Sequence, residues 1–317
     1  MLEISKIVIG DKVSDGVYCL KSIDKASDNY NVVLKDKTGE LLCELARERF
    51  NDNLTALVGG AVKTTFVVKN GMNTEPLGVI KSIEKAEEGT YKSSDLFDSL
   101  SEEKIVFYKN TIKECISYIQ REDLKTLVAK IIDEQMLSQL SKMPATLAYH
   151  GVYGGGALAA TATITRMVMQ TPFQYLKMQN GLYHPVLDWD VLIASSLLMY
   201  CGIPDYYTNT QPFRKTPIGV ERGYLSVLQR KVELSNDSVD EMTLARILNI
   251  LSSSAPFKSG VKATSSEGTI LRKCSEMYEE LDKLDAGREG YEAEGDETYF
   301  YDAKLRRNIM LPEREAV

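Results

Sequence analysis

The sequence predicts an α+β multidomain protein in which a small β-barrel precedes an all-α region. Two observations predict it. Residues 17–86 alternate or run apolar with β-branched content and are divided by turn residues, whereas apolar residues after residue 99 recur at helical spacing. A chain of 317 residues is also long enough for two domains.

The strand pattern predicts five strands in a particular order. Three strands are predicted over residues 17–27, 30–36 and 40–45, with turn residues at 27–29 and 37–39. A short helical stretch over 46–53 follows, and two more strands are predicted over 61–69 and 77–86. Three strands, a short helix and two strands is the order of an OB-type barrel. We therefore assign residues 1–88 to an OB-fold-like β-barrel.

Such barrels commonly bind single-stranded nucleic acid by stacking bases on aromatic rings beside basic side chains. The candidate stacking residues are Tyr18, Tyr30 and Phe66, and the candidate phosphate contacts are Lys21, Lys35, Lys63 and Lys69. Two interpretations stay open: these side chains form a nucleic-acid groove, or the rings fill the barrel and the lysines are merely solvated. The many carboxylates of the same region weigh against a strong groove.

Helical patterns begin after a polar linker. Residues 89–143 are assigned to the linker and a helical connector, with a capping box at Ser99–Glu102 and a second apolar stripe from Leu124 to Leu137. Further helices are predicted over 157–170, 191–201, 218–233, 240–251 and 267–284, and a strand at 299–301. The glycines at 154–156 lack a following Lys and Ser or Thr, so they predict tight packing at a helix start and not a phosphate loop.

Composition excludes several classes of protein. No apolar run approaches the roughly 20 residues of a membrane helix, and the N-terminal sequence has no export signal, so we expect no membrane partner and a cytoplasmic protein. The net charge of −7 disfavours an indiscriminate polyanion binder. Five cysteines without a C-x-x-C pair predict reduced thiols and no structural zinc site.

Three helical segments resemble a known family. They are PATLAYHGVYGGGALAAT at 144–161, LIASSLLMYCGI at 192–203 and LARILNILSSSA at 244–255. With the barrel before them, they resemble the YhaM-type 3'-to-5' exoribonuclease family, which combines an OB-fold with an HD domain. The similarity covers essentially the full length. It implies that residues 144–317 form an HD-like helical domain with a C-terminal docking tail, and that the protein is a homo-oligomer.

In that family, histidines and aspartates on adjacent helices hold catalytic metal ions. The resemblance places the corresponding positions at Tyr149, His150, Leu158 or Ala159, Met199, Tyr200, Ser253, Ser254 and Glu276. Only His150 and Glu276 carry side chains that bind metal well, and two donors hold a divalent ion weakly. The resemblance therefore implies a degenerate member with no metal, no cofactor and no catalytic residue at this site.

Three hypotheses follow. The first is a non-catalytic adaptor or regulator whose barrel binds single-stranded RNA or DNA, or a protein. The alternative is a metal-dependent 3'-to-5' exonuclease or phosphohydrolase with a relocated site built from His184, Asp188, Asp190, Asp205 and Glu276, although Asp188 and Asp190 also suit helix capping. The third is a small-ligand pocket lined by Tyr149, His150, Tyr200, Ser253 and Ser254.

Overall fold

A computed structural model of the chain describes residues 2–71, 74–87, 89–147, 150–179, 187–208, 213–254, 261–289, 299–302 and 307–310. The chain divides into two compact units. The barrel unit comprises Met1–Ser99 with Thr208–Arg214, and the helical unit comprises Leu100–Tyr207 with Lys215–Val317.

The barrel unit contains a closed five-stranded barrel with the strand order β1-β2-β3-β5-β4. Its strands are β1 (Lys12–Lys25), β2 (Asn29–Asp36), β3 (Gly39–Ala46), β4 (Ala61–Asn70) and β5 (Pro76–Lys85). Strands β3 and β5 pair in parallel, and the other pairs are antiparallel. Short 3-10 turns at Arg47–Arg49 and Asp52–Leu57 join β3 to β4. This confirms the OB-type barrel that the sequence predicts.

Strand β1 begins earlier than the sequence pattern indicates. It starts at Lys12 and passes through a bulge between Val13 and Gly16, where Asp15 has a φ of 53°. The bulge breaks the strict alternation of apolar and polar residues, so the first half of the strand does not show the period-2 pattern.

The barrel core is formed by inward-facing residues of all five strands. In β3, for example, Leu41, Cys43 and Leu45 are buried while Leu42 is exposed. Fully burying a side chain of this size contributes about 1.5–3 kcal/mol. After β5, the chain forms α1 (Ser93–Leu96) and then buries Leu96 and Phe97 in a second, smaller apolar cluster of the same unit.

The helical unit is built from ten helices and a short hairpin within the described residues. The helices are α2 (Glu102–Ser117), α3 (Glu122–Ile131), α4 (Glu134–Leu140), α5 (Gly156–Gln179), α6 (Trp189–Leu198), α7 (Ile203–Tyr206), α8 (Pro217–Glu221), α9 (Tyr224–Ser235), α10 (Glu241–Ser254) and α11 (Ser266–Glu289). Strands β6 (Tyr299–Asp302) and β7 (Arg307–Met310) pair as an antiparallel hairpin. The all-α region is therefore confirmed, with a short hairpin added near its end.

Three details of the helix prediction are wrong. The cap of α2 is Ser101, whose Oγ accepts the Lys104 N–H at 3.3 Å, and not Ser99. The stripe over 124–137 belongs to two helices, because Asp133 caps a new one by accepting the Met136 N–H at 2.7 Å. The predicted helix over 218–233 is likewise α8 and α9.

Helix α6 lies at the centre of the helical unit. It contacts α2, α3, α5, α10 and α11, and Val191–Leu198 are all buried. A helix that is apolar on every side is buried on every side, which explains its sequence. None of the helices in the described parts of the chain combines the length and apolarity needed to cross a membrane.

Candidate functional site

The candidate site of the helical unit centres on His150, between α4 and α5. Only 1% of the surface of His150 is exposed. Thr146 holds its backbone, since the Thr146 Oγ1 accepts the His150 N–H at 3.0 Å and donates to the His150 carbonyl at 2.8 Å. The ring Nε2 lies 2.9 Å from the Tyr200 hydroxyl. The structure thus brings together two of the positions that the family resemblance singles out.

The surroundings of His150 keep its imidazole neutral near pH 7. The rings of Tyr200 and Tyr278 meet it edge-on, at centroid distances of 6.3 and 5.7 Å. Burial lowers the pKa of His150, and the negative charges of Glu279 and Asp282 on α11 offset that shift only in part. Burial also raises the pKa of Tyr200, so a protonated phenol and a neutral imidazole share the hydrogen bond.

One polar atom of this cluster is unsatisfied. The His150 Nδ1 is buried and finds no hydrogen-bond partner among the described residues. The neighbouring Asp282 carboxylate is instead used by the backbone, because its Oδ2 accepts the Gly151 N–H at 2.8 Å. Losing the Tyr200 bond would therefore leave both ring nitrogens of His150 without a partner.

The other predicted ligand positions are occupied by packing or backbone bonds. Leu158, Ala159 and Met199 are buried in the core. Ser253 donates to the Ile250 carbonyl at 2.9 Å, and Ser254 donates to the Gly268 carbonyl at 3.3 Å. Tyr149 lies outside the described residues, so its place in the predicted small-ligand pocket stays a prediction.

Glu276 does not join His150. It forms ion pairs with Arg272 at 2.8 Å and with Lys273 at 2.7 Å on the outer side of α11, where its side chain is 44% exposed. Hydrogen bonds from Lys273 and Arg272 lower the pKa of this carboxyl group. The residue that the resemblance left as a second metal donor therefore faces solvent.

These residues do not fit a divalent metal centre of the family's kind. A site of that kind needs several imidazole and carboxylate donors that converge on one point. Within the described ranges, no three His, Cys, Asp or Glu side chains are grouped to hold an ion. The imidazole of His150 instead faces a phenol and aromatic ring edges, which are poor ligands for such a metal.

The carboxylates of the predicted relocated site have separate structural partners. Asp188 caps α6 by accepting the Val191 N–H at 3.1 Å, which confirms the capping interpretation. Asp190 accepts the N–H groups of Gln120 and Arg121, at 3.1 and 2.8 Å. Asp205 pairs with Lys231 at 2.6 Å, and His184 lies outside the described residues.

Asp188 also belongs to an ionic network around one buried carboxylate, which the sequence pattern did not reveal. The Glu267 side chain is 2% exposed, and its Oε1 accepts the Asp188 N–H at 2.9 Å and an Arg246 N–H at 3.2 Å. Arg246 also reaches the Asp188 carboxylate at 3.3 Å. A buried carboxylate is stable only when it is paired, so the network explains these charges structurally.

The glycines before α5 pack as predicted. A Cβ at Gly156 would lie 2.1 Å from the Gly151 carbonyl oxygen, closer than any side-chain carbon can approach. Only glycine permits this approach of two backbone segments. The helix therefore starts against the loop that carries His150.

In the barrel unit, two of the three predicted stacking residues are in the core. Tyr18 and Phe66 have no exposed surface, and their rings pack at 5.8 Å. The Tyr18 hydroxyl donates to the Leu2 carbonyl at 2.8 Å, and burial raises the pKa of Tyr18 to about 12. Prediction of these two residues as base-stacking groups is wrong, because no base can reach them.

The third predicted stacking residue, Tyr30, is half-buried. Its ring stacks on Phe50 with centroids 3.9 Å apart and an interplanar angle of 9°. Both residues pack against the barrel core, so one face of the Tyr30 ring is already covered.

Each of the four candidate phosphate-contact lysines forms an ion pair within the barrel unit. The pairs are Lys21–Glu40 at 2.6 Å, Lys35–Asp98 at 3.0 Å, Lys63–Asp15 at 3.2 Å and Lys69–Glu44 at 2.7 Å. Such exposed pairs contribute only about 0–1 kcal/mol each, so they do not immobilise the lysines. The carboxylates beside them nevertheless repel phosphate, and the structure gives no net cationic surface at these four positions.

Sequence reasoning missed Tyr278 and Asp282, which complete the surroundings of His150. They are four residues apart on α11 and so share one face of the helix with the buried Leu271 and Cys274. That spacing was the available signal, because a polar residue in a buried stripe indicates a polar contact inside the core.

Comparison with known proteins adds little to this geometry. No family model matches the chain, and no curated protein sequence matches it. Among solved structures, the chain is similar to the crystal structure of asparaginyl-tRNA synthetase from Pyrococcus horikoshii complexed with asparaginyl-adenylate. The identity is 11% and the TM-score is 0.23, and the match covers 81% of this chain but only 63% of that one. A likeness at that level carries no argument about activity.

Proposed function

We propose that this chain is a non-catalytic relative of the OB-barrel and HD-domain exoribonucleases, and that it acts as a nucleic-acid-binding adaptor or regulator. The order of its parts supports the relationship, because a closed barrel with OB strand order precedes an all-α unit with His150 at the start of its central helices. Barrels of this type commonly bind single strands, which supports the binding role.

The observation that carries the proposal is the buried bond between His150 and Tyr200. At the positions where the family holds metal, a phenol hydroxyl lies 2.9 Å from the imidazole and an aromatic core surrounds it. A phosphodiesterase of the HD type uses metal ions to generate hydroxide and to stabilise charge on the phosphate. A neutral imidazole bonded to a protonated phenol supplies neither.

The relocated-site alternative has less support. Its described carboxylates cap a helix, accept backbone N–H groups or pair with lysine and arginine. Each one is therefore accounted for by a structural contact of its own.

A test should measure hydrolysis and binding on the same protein. Single-stranded RNA and DNA are incubated with the full chain in Mg²⁺, Mn²⁺, Co²⁺ or Zn²⁺, and labelled strands are titrated by fluorescence anisotropy. We expect no release of nucleotides and a saturable anisotropy change. Metal-dependent release of nucleotides would overturn the non-catalytic part; its loss in H150Q would assign it to the position that the family resemblance marks, and its loss in H184Q to the relocated site.

One observation favours a protein partner as a second candidate. On the outer face of the barrel, Val33 and Leu42 are register partners, and Leu42 is 47% exposed. The lysines around this apolar pair are neutralised by carboxylates. Two results together would show that the adaptor binds protein through this face. Labelled single-stranded RNA and DNA would cause no anisotropy change, and L42E would abolish co-purification of a defined protein that wild type retains.

A further inference from the structure

An open groove lies along the first half of β1 and the segment after β5. Its volume is about 690 Å³, within the range of roughly 300–1,000 Å³ that is usual for small-ligand sites. The β1 bulge forms one wall with Ser14, Asp15 and Gly16, and residues 89–92 with Asp95 form the other. All of these residues belong to the barrel unit. Lys63, one of the four lysines predicted to contact phosphate, forms an ion pair with the lining residue Asp15.

The charged residues that line the groove are two lysines and two aspartates. Each aspartate has a lysine partner outside the lining. Asp95 pairs with Lys37 at 3.6 Å, and Asp15 pairs with Lys63 at 3.2 Å, although Lys63 is shared with Glu84 at 3.4 Å. Lys12 and Lys92 also line the groove, and neither forms an ion pair with any described residue. Within the described residues these two ammonium groups have no carboxylate partner, so they are available to pair with an anionic ligand.

The rest of the wall suits a flat apolar body next to that anion. Val13, Val17 and Leu2 contribute apolar surface, and the half-buried Tyr91 contributes a ring. The exposed Ser14 adds a hydroxyl group that can donate to a phosphate oxygen. An aromatic ring beside lysines is the combination that binds a base and its phosphate together.

We propose that this groove binds one nucleotide, with its phosphate between Lys12 and Lys92 and its base against Tyr91. The nucleotide is a free mononucleotide or the phosphate-bearing end of a single strand, because the recognised chemistry is the same in both. The inference rests on the binding role proposed for the barrel and gives that role a location. It does not depend on whether the helical unit is inactive.

Isothermal titration calorimetry on the full chain tests the proposal, with AMP, ribose 5-phosphate, inorganic phosphate and a 5'-phosphorylated oligonucleotide as ligands. The lysine variant is K12Q/K92Q. Its matched control is K21Q/K69Q, which removes the same charge from lysines that are ion-paired on another part of the barrel. The ring variant is Y91L, which keeps an apolar side chain against the small cluster around Leu96.

We expect AMP to bind wild type more tightly than ribose 5-phosphate does. K12Q/K92Q should weaken AMP binding about tenfold, because exposed charge pairs each change affinity by a few-fold. K21Q/K69Q should leave it unchanged. Y91L should remove most of the preference for AMP, which stacking on one ring sets at about tenfold or more.

Comparison of the ligands distinguishes a free nucleotide from a strand end, and it distinguishes failure of the groove proposal from failure of the proposed binding role. Tighter binding of the oligonucleotide than of AMP assigns the groove to strand ends, and the reverse assigns it to free nucleotides. Equal binding of AMP and inorganic phosphate would overturn the inference, as would AMP binding that is as tight in K12Q/K92Q as in wild type. If wild type and K12Q/K92Q bind the oligonucleotide equally well, the groove is not its binding site, but the binding role proposed for the barrel remains. If wild type binds neither AMP nor strands, the binding role falls with it.

Discussion

Replacing Tyr200 with phenylalanine tests the structural account of His150 directly. The Tyr200 hydroxyl is 2.9 Å from the His150 Nε2, and both residues are buried. The Y200F substitution leaves the aromatic packing intact and removes the partner of that nitrogen, while the Nδ1 has no partner among the described residues. A buried polar group that loses its partner costs about 1–3 kcal/mol.

The assay can be confined to the helical unit. Trp189, the first residue of α6, is the only tryptophan of the chain, so its fluorescence during urea unfolding reports on this unit. We expect Y200F to lower the unfolding free energy by about 1–3 kcal/mol and the Tm by about 2–12 °C. The control is Y118F, because Tyr118 is 47% exposed and its hydroxyl makes only a long hydrogen bond, of 3.3 Å, to Glu114. That variant should change stability by less than about 0.5 kcal/mol.

A double variant checks that the cost belongs to the pair. In H150F/Y200F both polar partners are replaced by apolar rings, which removes the unsatisfied nitrogens as well as the bond. Its cost should be smaller than the sum of H150F and Y200F, because the two residues share one interaction. Equal stability of Y200F and wild type, or strict additivity in the double variant, would refute the account of a buried pair.

Two further predictions concern charge. Burial lowers the pKa of His150 below its usual value of about 6.5, so the unfolded chain takes up a proton more readily than the folded one. The contribution of a neutral His150 to the unfolding free energy should therefore be fully present above pH 6.5. It should decrease as the pH falls through that value towards the lowered pKa of the folded state. In Trp189-monitored urea unfolding between pH 7.5 and 5.5, H150Q should flatten this fall; an unchanged slope in H150Q would contradict the assignment. D190A should lower the unfolding free energy by about 1–2 kcal/mol, because two backbone N–H groups lose their acceptor, whereas D237A, whose side chain is 71% exposed, should change it by less than about 0.5 kcal/mol. Equal effects of the two aspartate variants would refute the backbone role of Asp190.

The barrel was predictable because its information is local. Alternation of apolar and polar residues sets which side of each strand faces inward, and turn residues set the strand boundaries. The same alternation contained the answer for Phe66, which shares its strand face with Val62 and Val68 and must be buried with them. Of the two interpretations that stayed open for Phe66, this alternation favours the one in which its ring fills the barrel.

The charge state of the barrel surface was not predictable in the same way. Lys63 is neutralised by Asp15, which is far from it in sequence and reaches it through the β1 bulge. Such pairs depend on strand register and on one residue with a φ of 53°, neither of which follows from composition. For the same reason, the sequence alone does not show that Lys12 and Lys92 lack an ion pair with any described residue.

A single substitution should not rebuild a metal centre in the helical unit. Y200D would place a carboxylate beside His150, which is the donor type that a hydrolytic site uses. Glu276 would still face solvent, and Ser253 and Ser254 would still be bonded to backbone carbonyls. Two donors hold a divalent ion weakly, so we expect less than one zinc or manganese ion per chain by mass spectrometry of protein purified without an affinity metal.

The same variant should also be unstable, since it exchanges a fully buried ring for a smaller charged group. Loss of a buried aromatic side chain alone costs about 3–5 kcal/mol, and an unpaired carboxylate adds to it. One bound metal ion per chain together with near-wild-type stability would mean that further donors stand close to His150. In that event the conclusion that the residues around His150 do not fit a divalent metal centre would be wrong.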